Sequence, residues 1–363
     1  KVLGNVKGYY NGNIFDFNED EFAGLFGVGA RHLRRLFIEE IGKTPKQIAF
    51  ENRLNLSRQL LTETTLPITE IAYAAGFQSI RRFNDSFKDR FKKQPSYTRR
   101  NKFAVSVPLI VTTPYRPPFN FERLLGFYQS HQVGDLERFE NGSMRRVISI
   151  NGRQGQITIS NDAAYHRLRV AIDFPDVRAI HTIIAKVRRL FDLDSDPLLI
   201  ANAFDVDPDL SKIFKKHPGL RVPTGWDPYE TAIAAILGQL VSVRQGTRLV
   251  ADLIEYYGHP SGMVLDNKEI KLFPTPQRIA NSRLTRLKTT GRRKQTLRDF
   301  SSALVKGTLS LESTQNSDHF RSALLAITGI GPWTADYMAL KVLGHADAFP
   351  STDLILERAL KLH

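Results

Sequence analysis

The sequence predicts a mainly α-helical protein with one small α+β domain between two helical regions. From Glu21 to about Arg100, and again from Asp196 onwards, apolar residues recur at the spacing of amphipathic helices. Between these regions, several short runs rich in β-branched residues are followed by one amphipathic helix. Strands that are followed by a helix are typical of an α+β domain.

The composition indicates what kind of partner the protein binds. The chain has 363 residues and a formal net charge of +14, which favours a polyanion such as nucleic acid. Because the sequence has no cysteine, disulfides, thiol catalysis and cysteine zinc sites are excluded, and we expect no metal site. No apolar run reaches the roughly 20 residues that span a bilayer, and the start does not resemble a signal peptide. We therefore expect a cytoplasmic protein without a membrane partner.

The middle region contains four predicted strands. The first covers residues 103–111, where Pro108 favours an edge position or a bulge over a central strand. The others cover residues 144–150, 156–160 and 166–172. Residues 176–191 form a predicted helix whose apolar stripe consists of Ile180, Ile183, Ile184, Val187 and Leu190. We therefore expect domains at residues 1–102, 103–195 and 196–363.

The first domain contains two copies of a helix-turn-helix pattern. In each copy an apolar helix precedes a glycine, Gly27 or Gly76, and a second helix carries basic residues on its outer face. Residues 45–61 predict one long helix between the copies, with Thr44 as its cap and Pro45 in its first turn. Such a spacer could hold two recognition helices roughly 34 Å apart, which is one turn of DNA. The basic residues of the second helices are Arg31, Arg34, Arg81 and Arg82.

Together with the closing segment up to Pro95, this region resembles the AraC-type DNA-binding domain, in the version found in Ada-type methylation-response regulators. The resemblance implies that the four arginines face the major groove, where an arginine on guanine discriminates by about 1–3 kcal/mol. Solvated arginines or phosphate contacts are the alternative. It also implies double-stranded DNA as a partner and RNA polymerase as a further candidate. Ada-type regulators carry a cysteine metal switch, which this sequence lacks.

Two short segments of the third domain suggest chemistry on DNA. Thr328, Gly329 and Gly331 predict a hairpin between two helices whose backbone N–H groups bind a phosphate, although such a turn is often only a helix connection. Downstream, residues 349–353 end in a lone carboxylate, Asp353, at the predicted start of a helix. Taken by itself, an aspartate at this position is more often an ordinary helix-start residue.

With residues 117–127, 223–242 and 273–278, these segments resemble the helix-hairpin-helix DNA glycosylases, most of all the 3-methyladenine DNA glycosylase II (AlkA) family, from Tyr115 onwards. The resemblance implies an enzyme that excises alkylated bases in base excision repair. It needs no cofactor, but family members often bind a monovalent cation at the hairpin. It also implies that the sequence stops short of the helices that close the family's catalytic domain. The rival hypothesis is a regulator of the alkylation response whose glycosylase fold is inactive.

Asp353 is the predicted catalytic residue. Glycosidic cleavage passes through a state with positive charge on the sugar, which a nearby carboxylate stabilises. Burial beside Phe349, Pro350, Leu354 and Ile355 would raise the pKa of this carboxyl group. A helix that begins at residue 351 or 352 would oppose that rise through its N-terminal N–H groups. We therefore expect an ionised carboxylate in an apolar pocket.

The resemblance also assigns the residues that handle the extruded base. Leu240 is the expected wedge that fills the gap in the DNA, with Gln239 beside it. Alternatively, Leu240 continues the core stripe of Ile233, Ile236 and Leu237. Phe127, Trp333 and Tyr337 match aromatic pocket positions, and electron-rich rings attract positively charged alkylated bases. Phe127 could equally be a core residue.

Trp333 indicates that the enzyme is monofunctional. Glycosylases that also cut the strand carry a Schiff-base lysine at the corresponding hairpin position. Here that position holds tryptophan, and no lysine lies between Arg321 and Leu340. A basic run nearby binds the DNA backbone or is merely solvated; its members are Arg283, Arg286, Lys288, Arg292, Arg293 and Lys294.

Overall fold

The computed structural model describes residues 19–24, 28–99, 108–265, 267–312, 317–345 and 347–361. The chain divides into two compact units. The first consists mainly of Val28–Gly126 and Arg138–Val222, and the second mainly of Phe127–Glu137 and Pro223–His363. Within the described residues, no helix is long and apolar enough to cross a membrane. Nor do the His, Asp and Glu side chains of those residues form a group of three that could hold a metal ion.

The helix-turn-helix pattern is present as six helices in the first unit. The long spacer helix is confirmed: Thr44 accepts a hydrogen bond from the Gln47 N–H, and the Gln47 side chain accepts one from the Thr44 N–H, which forms a capping box. The turn glycine of the first copy, Gly27, lies outside the described residues. The helices are α1 (Glu19–Gly24), α2 (Ala30–Ile41), α3 (Pro45–Glu63), α4 (Ile68–Ala74), α5 (Ile80–Phe91) and α6 (Pro95–Thr98).

The first unit also contains a five-stranded sheet in the order β1-β5-β4-β3-β2. Of the edge position or bulge expected for the strand that contains Pro108, the edge position is confirmed: among the described residues, β1 lies at one end of the sheet and pairs with β5. Residues 103–107 of that prediction lie outside the described residues. The strands are β1 (Leu109–Pro114), β2 (Glu137–Glu140), β3 (Ser143–Ile150), β4 (Arg153–Asp162) and β5 (Arg167–Asp173).

The helix after the sheet buries the expected stripe. It begins as a 3-10 turn (Val177–Ala179) and continues as α8 (Ile180–Leu190). All five predicted stripe residues are buried. Helix α7 (Phe121–Ser130) precedes β2, and the helices α9 (Pro197–Phe204) and α10 (Pro208–Lys216) follow α8.

The second unit is mainly helical, but one part of the prediction is wrong. Residues 259–272 form a β-hairpin, β6 (His259–Leu265) and β7 (Lys268–Leu272), where a helical pattern was expected. The helices are α11 (Pro228–Leu237), α12 (Val243–Tyr257), α13 (Pro276–Ala280), α14 (Gly291–Val305), α15 (Ser317–Leu325), α16 (Pro332–Met338) and α17 (Leu354–Lys361). The predicted fold class, mainly α with a small α+β domain, is confirmed.

Candidate active site

Asp353 lies at the N-terminus of α17 and caps it. Its Oδ1 accepts hydrogen bonds from the N–H groups of Ile355 at 2.9 Å and Leu356 at 3.1 Å. The helix begins at Leu354, two to three residues later than expected, so the carboxylate itself satisfies the free N–H groups of the first turn. This arrangement fixes the rotamer of the side chain and leaves Oδ2 for a second partner.

That second partner is Trp333, whose indole Nε1–H donates to Asp353 Oδ2 at 2.7 Å. Partial burial acts to raise the pKa of Asp353. The hydrogen bonds from Leu356 N–H, Trp333 and Ile355 N–H outweigh this effect and hold the pKa below its usual value. The carboxyl group is therefore ionised at neutral pH, as expected.

The expected apolar surroundings of Asp353 are wrong for three of the four residues. Phe349, Leu354 and Ile355 are 60%, 60% and 77% exposed, and only Pro350 is buried. As expected, burial and the N-terminal N–H groups of the helix oppose each other in setting the pKa of Asp353, and the indole of Trp333 adds a further donor.

The predicted pocket aromatics lie close together. The rings of Trp333 and Tyr337 stack with centroids 5.1 Å apart and an interplanar angle of 21°. Lys341 Nζ lies 5.9 Å from the Tyr337 ring and 5.2 Å from the Phe127 ring, and so connects the two. Phe127 is partly buried, and its place in the base pocket stays a prediction. A series of contacts thus links Asp353 to Phe127 through Trp333, Tyr337 and Lys341.

Lys341 was missed at the sequence level. It follows Leu340 directly, at the end of the lysine-free stretch that begins after Arg321. Trp333, Tyr337 and Lys341 are spaced four residues apart, and that spacing on a helix would have placed all three on one face. Lys341 belongs to a π-helical turn (Ala339–Leu343) that continues α16; such turns are frequent at functional sites.

The hairpin between α15 and α16 depends on Gly329. This residue has φ +95°, and a Cβ there would lie 2.1 Å from Thr296 Oγ1. Thr296 Oγ1–H in turn donates to the Thr328 carbonyl at 2.9 Å. Gly331 differs, because a Cβ there would meet nothing within 4 Å. Within the described residues, the N–H groups of Gly329 and Gly331 have no acceptor.

Leu240 projects from the loop between α11 and α12. It is 97% exposed, so the alternative that it continues the core stripe is wrong. Its φ of +53° lies in the left-handed region, which costs a leucine about 1–2 kcal/mol. The neighbouring helices bracket this loop closely: α11 ends at Leu237, and Ser242 caps α12 through the N–H of Gln245.

Gln239 anchors this loop to the hairpin. Its Nε2 donates to the Gly329 carbonyl at 3.0 Å and to Thr334 Oγ1 at 2.9 Å, and its own carbonyl accepts a hydrogen bond from Arg293. Its side chain therefore does not project beside that of Leu240, and its assignment to the wedge stays a prediction. The anchor fixes the position of the exposed leucine relative to the hairpin.

The basic run lies partly beside Leu240. Lys288, Arg293 and Lys294 line a groove of about 740 Å³ together with Leu240. Arg293 also donates to Thr289 Oγ1 at 2.9 Å, so part of its hydrogen-bonding capacity stabilises the loop. Arg286 packs over the Tyr256 ring at 4.8 Å. Some members of the basic run therefore line the groove, and others make contacts within the protein.

The arginines of the helix-turn-helix domain differ in their surroundings. All four are exposed. Arg34 donates to both carboxylate oxygens of Glu19, at 2.6 and 2.7 Å, and this pair raises the pKa of the guanidinium. Base contact by Arg34 therefore requires that this exposed pair opens, whereas Arg31, Arg81 and Arg82 have no such carboxylate contact within the described residues.

Comparison with known proteins agrees with this fold. Residues 22–101 match a helix-turn-helix domain family, and residues 110–227 match the AlkA N-terminal domain. A probable bifunctional transcriptional activator/DNA repair enzyme AlkA of Mycobacterium tuberculosis is 32% identical over 93% of this chain and 69% of that protein. DNA-3-methyladenine glycosylase 2 of Escherichia coli is 30% identical over 68% of this chain and 86% of that protein.

A solved 3-methyladenine DNA glycosylase from Archaeoglobus fulgidus has the same fold, with a TM-score of 0.59 at 19% identity over 69% of this chain and 85% of that one. Fold and sequence thus define a DNA glycosylase joined to a helix-turn-helix domain. The chain belongs to the AlkA family of bifunctional transcriptional activators and DNA repair enzymes. The predicted family, the enzyme class of DNA N-glycosylase and the role in base excision repair are confirmed.

Proposed function

We propose that this protein excises alkylated bases of the 3-methyladenine type, with Asp353 as its catalytic carboxylate and without strand cleavage. The observation that carries the proposal is the fixed carboxylate: the N–H groups of α17 hold Oδ1, and Trp333 holds Oδ2. An ionised carboxylate beside an aromatic cleft is the arrangement that a positively charged sugar intermediate requires.

The reaction needs little other chemistry from the protein. The bond between C1′ and the base nitrogen breaks, and its electron pair leaves with the base. The positive charge on the sugar is stabilised by the carboxylate of Asp353, and a water adds to C1′ and loses its proton. Trp333 stands where a Schiff-base lysine would be needed for strand cleavage. The product is therefore an abasic site in an intact strand.

We propose that the remaining residues bring a base into the cleft. Leu240 fills the gap that the extruded nucleotide leaves, at a flipping cost of a few kcal/mol. The rings of Phe127, Trp333 and Tyr337 attract the positive charge of an alkylated base. The hairpin of Thr328, Gly329 and Gly331 binds a DNA phosphate through its N–H groups. A monovalent cation at the hairpin carbonyls is part of this proposal, and no other cofactor is required.

The two hairpin glycines provide a matched test of the phosphate contact. We expect Gly331→Ala to change the free energy of unfolding by less than about 1 kcal/mol, because a methyl group there meets no protein atom. It should weaken binding to duplex DNA about tenfold, since the methyl group occupies the space of the phosphate. Gly329→Ala should instead destabilise the protein by about 2–4 kcal/mol through strain and overlap with Thr296.

Chemical denaturation measures the first quantity, and fluorescence anisotropy with a labelled duplex measures the second. Equal DNA affinity of Gly331→Ala and the wild type would contradict the assignment of the hairpin to phosphate binding. A Gly329→Ala protein as stable as the wild type would contradict the described contact with Thr296.

We propose that the helix-turn-helix domain directs the protein to a specific DNA sequence and contacts RNA polymerase there. A protein that acts on genomic DNA must be in the same compartment as that DNA, so we include cytoplasmic localisation in this proposal. We also propose domain limits at residues 1–102, 103–195 and 196–363. Support for base readout comes from the exposed Arg31, Arg81 and Arg82 on the second helices of the two motifs.

Base readout by these helices predicts a selective defect. The double variant Arg31→Ala with Arg81→Ala should lose its preference for operator over random DNA, because each arginine–guanine contact contributes about 1–3 kcal/mol. Base release from a damaged oligonucleotide should stay near the wild-type rate. Competition binding against random duplex measures the preference. A preference that survives in the double variant would contradict readout by these two arginines.

A further inference from the structure

The second unit contains a polar cavity of about 750 Å³ between the C-terminal end of α12 and the helix α13. Two tyrosines line it on the α12 side, and basic and neutral polar residues line the rest. Six of the residues in this α12–α13 cavity are Tyr256, Tyr257, His259, Gln277, Arg278 and Asn281. Among the described residues, no carboxylate lines the cavity, so no negative charge in its lining opposes the charge of Arg278.

Several side chains of the cavity have hydrogen-bond donors without an acceptor. Within the described residues, the side chains of His259, Arg278 and Asn281 make no hydrogen bond or ion pair. Tyr257 is only 9% exposed, and its hydroxyl oxygen accepts from the backbone N–H of Arg286 at 3.0 Å. The hydroxyl hydrogen of Tyr257 has no acceptor in the described part of the chain. A ligand with several oxygen acceptors and a negative charge would satisfy these donors.

Two elements place this cavity next to the groove beside Leu240. Helix α12 lines the groove with Leu249 and the cavity with Tyr256. These two residues are seven apart in the sequence, which corresponds to about 10 Å along the helix axis. The loop after α13 also reaches both, because Ser282 lines the cavity and Thr285 lines the groove. The groove and the cavity are therefore neighbours on the surface of the second unit.

We propose that the α12–α13 cavity binds a phosphate of the DNA backbone, at a distance from the lesion. Successive nucleotides of one strand advance by about 3.4 Å along the duplex, so a separation of about 10 Å from the groove corresponds to about three nucleotides. Arg286 continues the positive charge between the two sites. Its neighbours Thr285 and Leu287 line the groove, and its guanidinium packs over the Tyr256 ring at 4.8 Å.

This inference rests on the proposed function, which brings duplex DNA to the groove, and it adds a contact that neither Leu240 nor the hairpin makes. It concerns the affinity for the duplex and the salt dependence of that affinity. The proposed function concerns whether an alkylated base is released. Different measurements therefore decide the two.

The salt dependence of binding tests whether Arg278 neutralises a phosphate. Each neutralised phosphate adds about 0.9 to the slope of log affinity against log salt concentration. Between roughly 50 and 200 mM salt, the wild type should therefore lose about three to four times more affinity than Arg278→Gln. Arg278→Lys keeps the charge and should keep the slope. Fluorescence anisotropy measures binding to a labelled duplex with a single tetrahydrofuran abasic residue, which fixes the register and has no base to release.

Lys306→Gln is the matched control, because it also removes one positive charge from the second unit. Lys306 caps the C-terminus of α14, twelve residues beyond the groove residue Lys294. That spacing is about 18 Å along the helix. The slope of Lys306→Gln should equal that of the wild type.

The position of the contact is tested by replacing one DNA phosphate at a time with a neutral methylphosphonate. The wild type should lose about tenfold in affinity at a phosphate about three nucleotides from the abasic residue on one strand. Arg278→Gln should be insensitive at that phosphate and as sensitive as the wild type at the others.

A slope for Arg278→Gln equal to that of the wild type overturns the proposal. So does an equal loss of slope in Lys306→Gln, since any lost charge would then have the same effect. The same pattern of phosphate sensitivity in the wild type and in Arg278→Gln also overturns it. Base release from alkylated duplex by the wild type is measured in parallel, and its absence contradicts the proposed glycosylase function rather than the phosphate site.

Discussion

We expect Asp353→Asn to lower base release from alkylated duplex DNA by at least about 10²-fold. The change removes the negative charge that opposes the developing charge on the sugar, but it alters little else. Asparagine is as good an N-cap as aspartate, so its side-chain oxygen can still accept from Ile355 and Leu356. The substitution also alters the hydrogen bond from Trp333. With that change included, the free energy of unfolding should change by no more than about 1 kcal/mol.

The measurement is chromatography of free base after single-turnover incubation, with DNA affinity determined in parallel by anisotropy. Asp336→Asn is a matched control on α16, because the carboxylate of Asp336 forms an ion pair with Arg321 at 2.6 Å. It should retain base release. Release that survives in Asp353→Asn would show that this carboxylate is not catalytic. Tight DNA binding without release, in the wild type and in Asp353→Asn alike, would favour the regulator with an inactive glycosylase fold.

The ionisation of Asp353 adds a pH argument to this test. Its folded-state pKa is held below the usual value, so the group favours folding above its unfolded pKa, and this contribution is lost as the pH falls through the folded pKa. Around neutral pH the carboxylate does not titrate. A change in base release near pH 8 would therefore not report on Asp353.

Local signals in the sequence predicted the local structure well. The cap at Thr44 depends on a contact between residues three apart in the sequence. The apolar stripe of α8 depends on spacing alone. The β6–β7 hairpin was missed because Pro260 and Gly262 interrupt β6 and its pairing shifts between Pro260 and Val264, so the strand has no regular alternation.

The geometry of the candidate site depends on contacts between residues that are distant in the sequence. Such contacts could not be predicted from local sequence patterns. The bond from Trp333 to Asp353 joins residues twenty apart, and the anchor from Gln239 to Gly329 joins residues ninety apart. Family resemblance named Asp353, Leu240 and Gln239, but it did not show the hydrogen bonds of Gln239 to the hairpin. The pKa of a carboxylate depends on such donors, and for Asp353 the sequence pattern did not show the donor Trp333.

Leu240 should show opposite effects of one substitution on activity and stability. The exposed side chain makes almost no contact within the protein, and its left-handed φ costs about 1–2 kcal/mol that glycine would not incur. Glycine loses more chain entropy on folding, which offsets up to about 1 kcal/mol of this gain. Leu240→Gly should therefore be as stable as the wild type or up to about 1 kcal/mol more stable by chemical denaturation.

The same change should slow base release by about 10–100-fold, because a leucine buried between bases contributes roughly 1.5–3 kcal/mol. Leu240→Met is the matched control: it keeps a long apolar side chain and the backbone strain, and it should retain most of the activity. Leu240→Ala keeps the strain but loses the wedge, so it should be slow without being more stable. Wild-type release rates in Leu240→Gly would contradict the wedge. The strain would then need another explanation, because an exposed leucine held at positive φ gains nothing from its own packing.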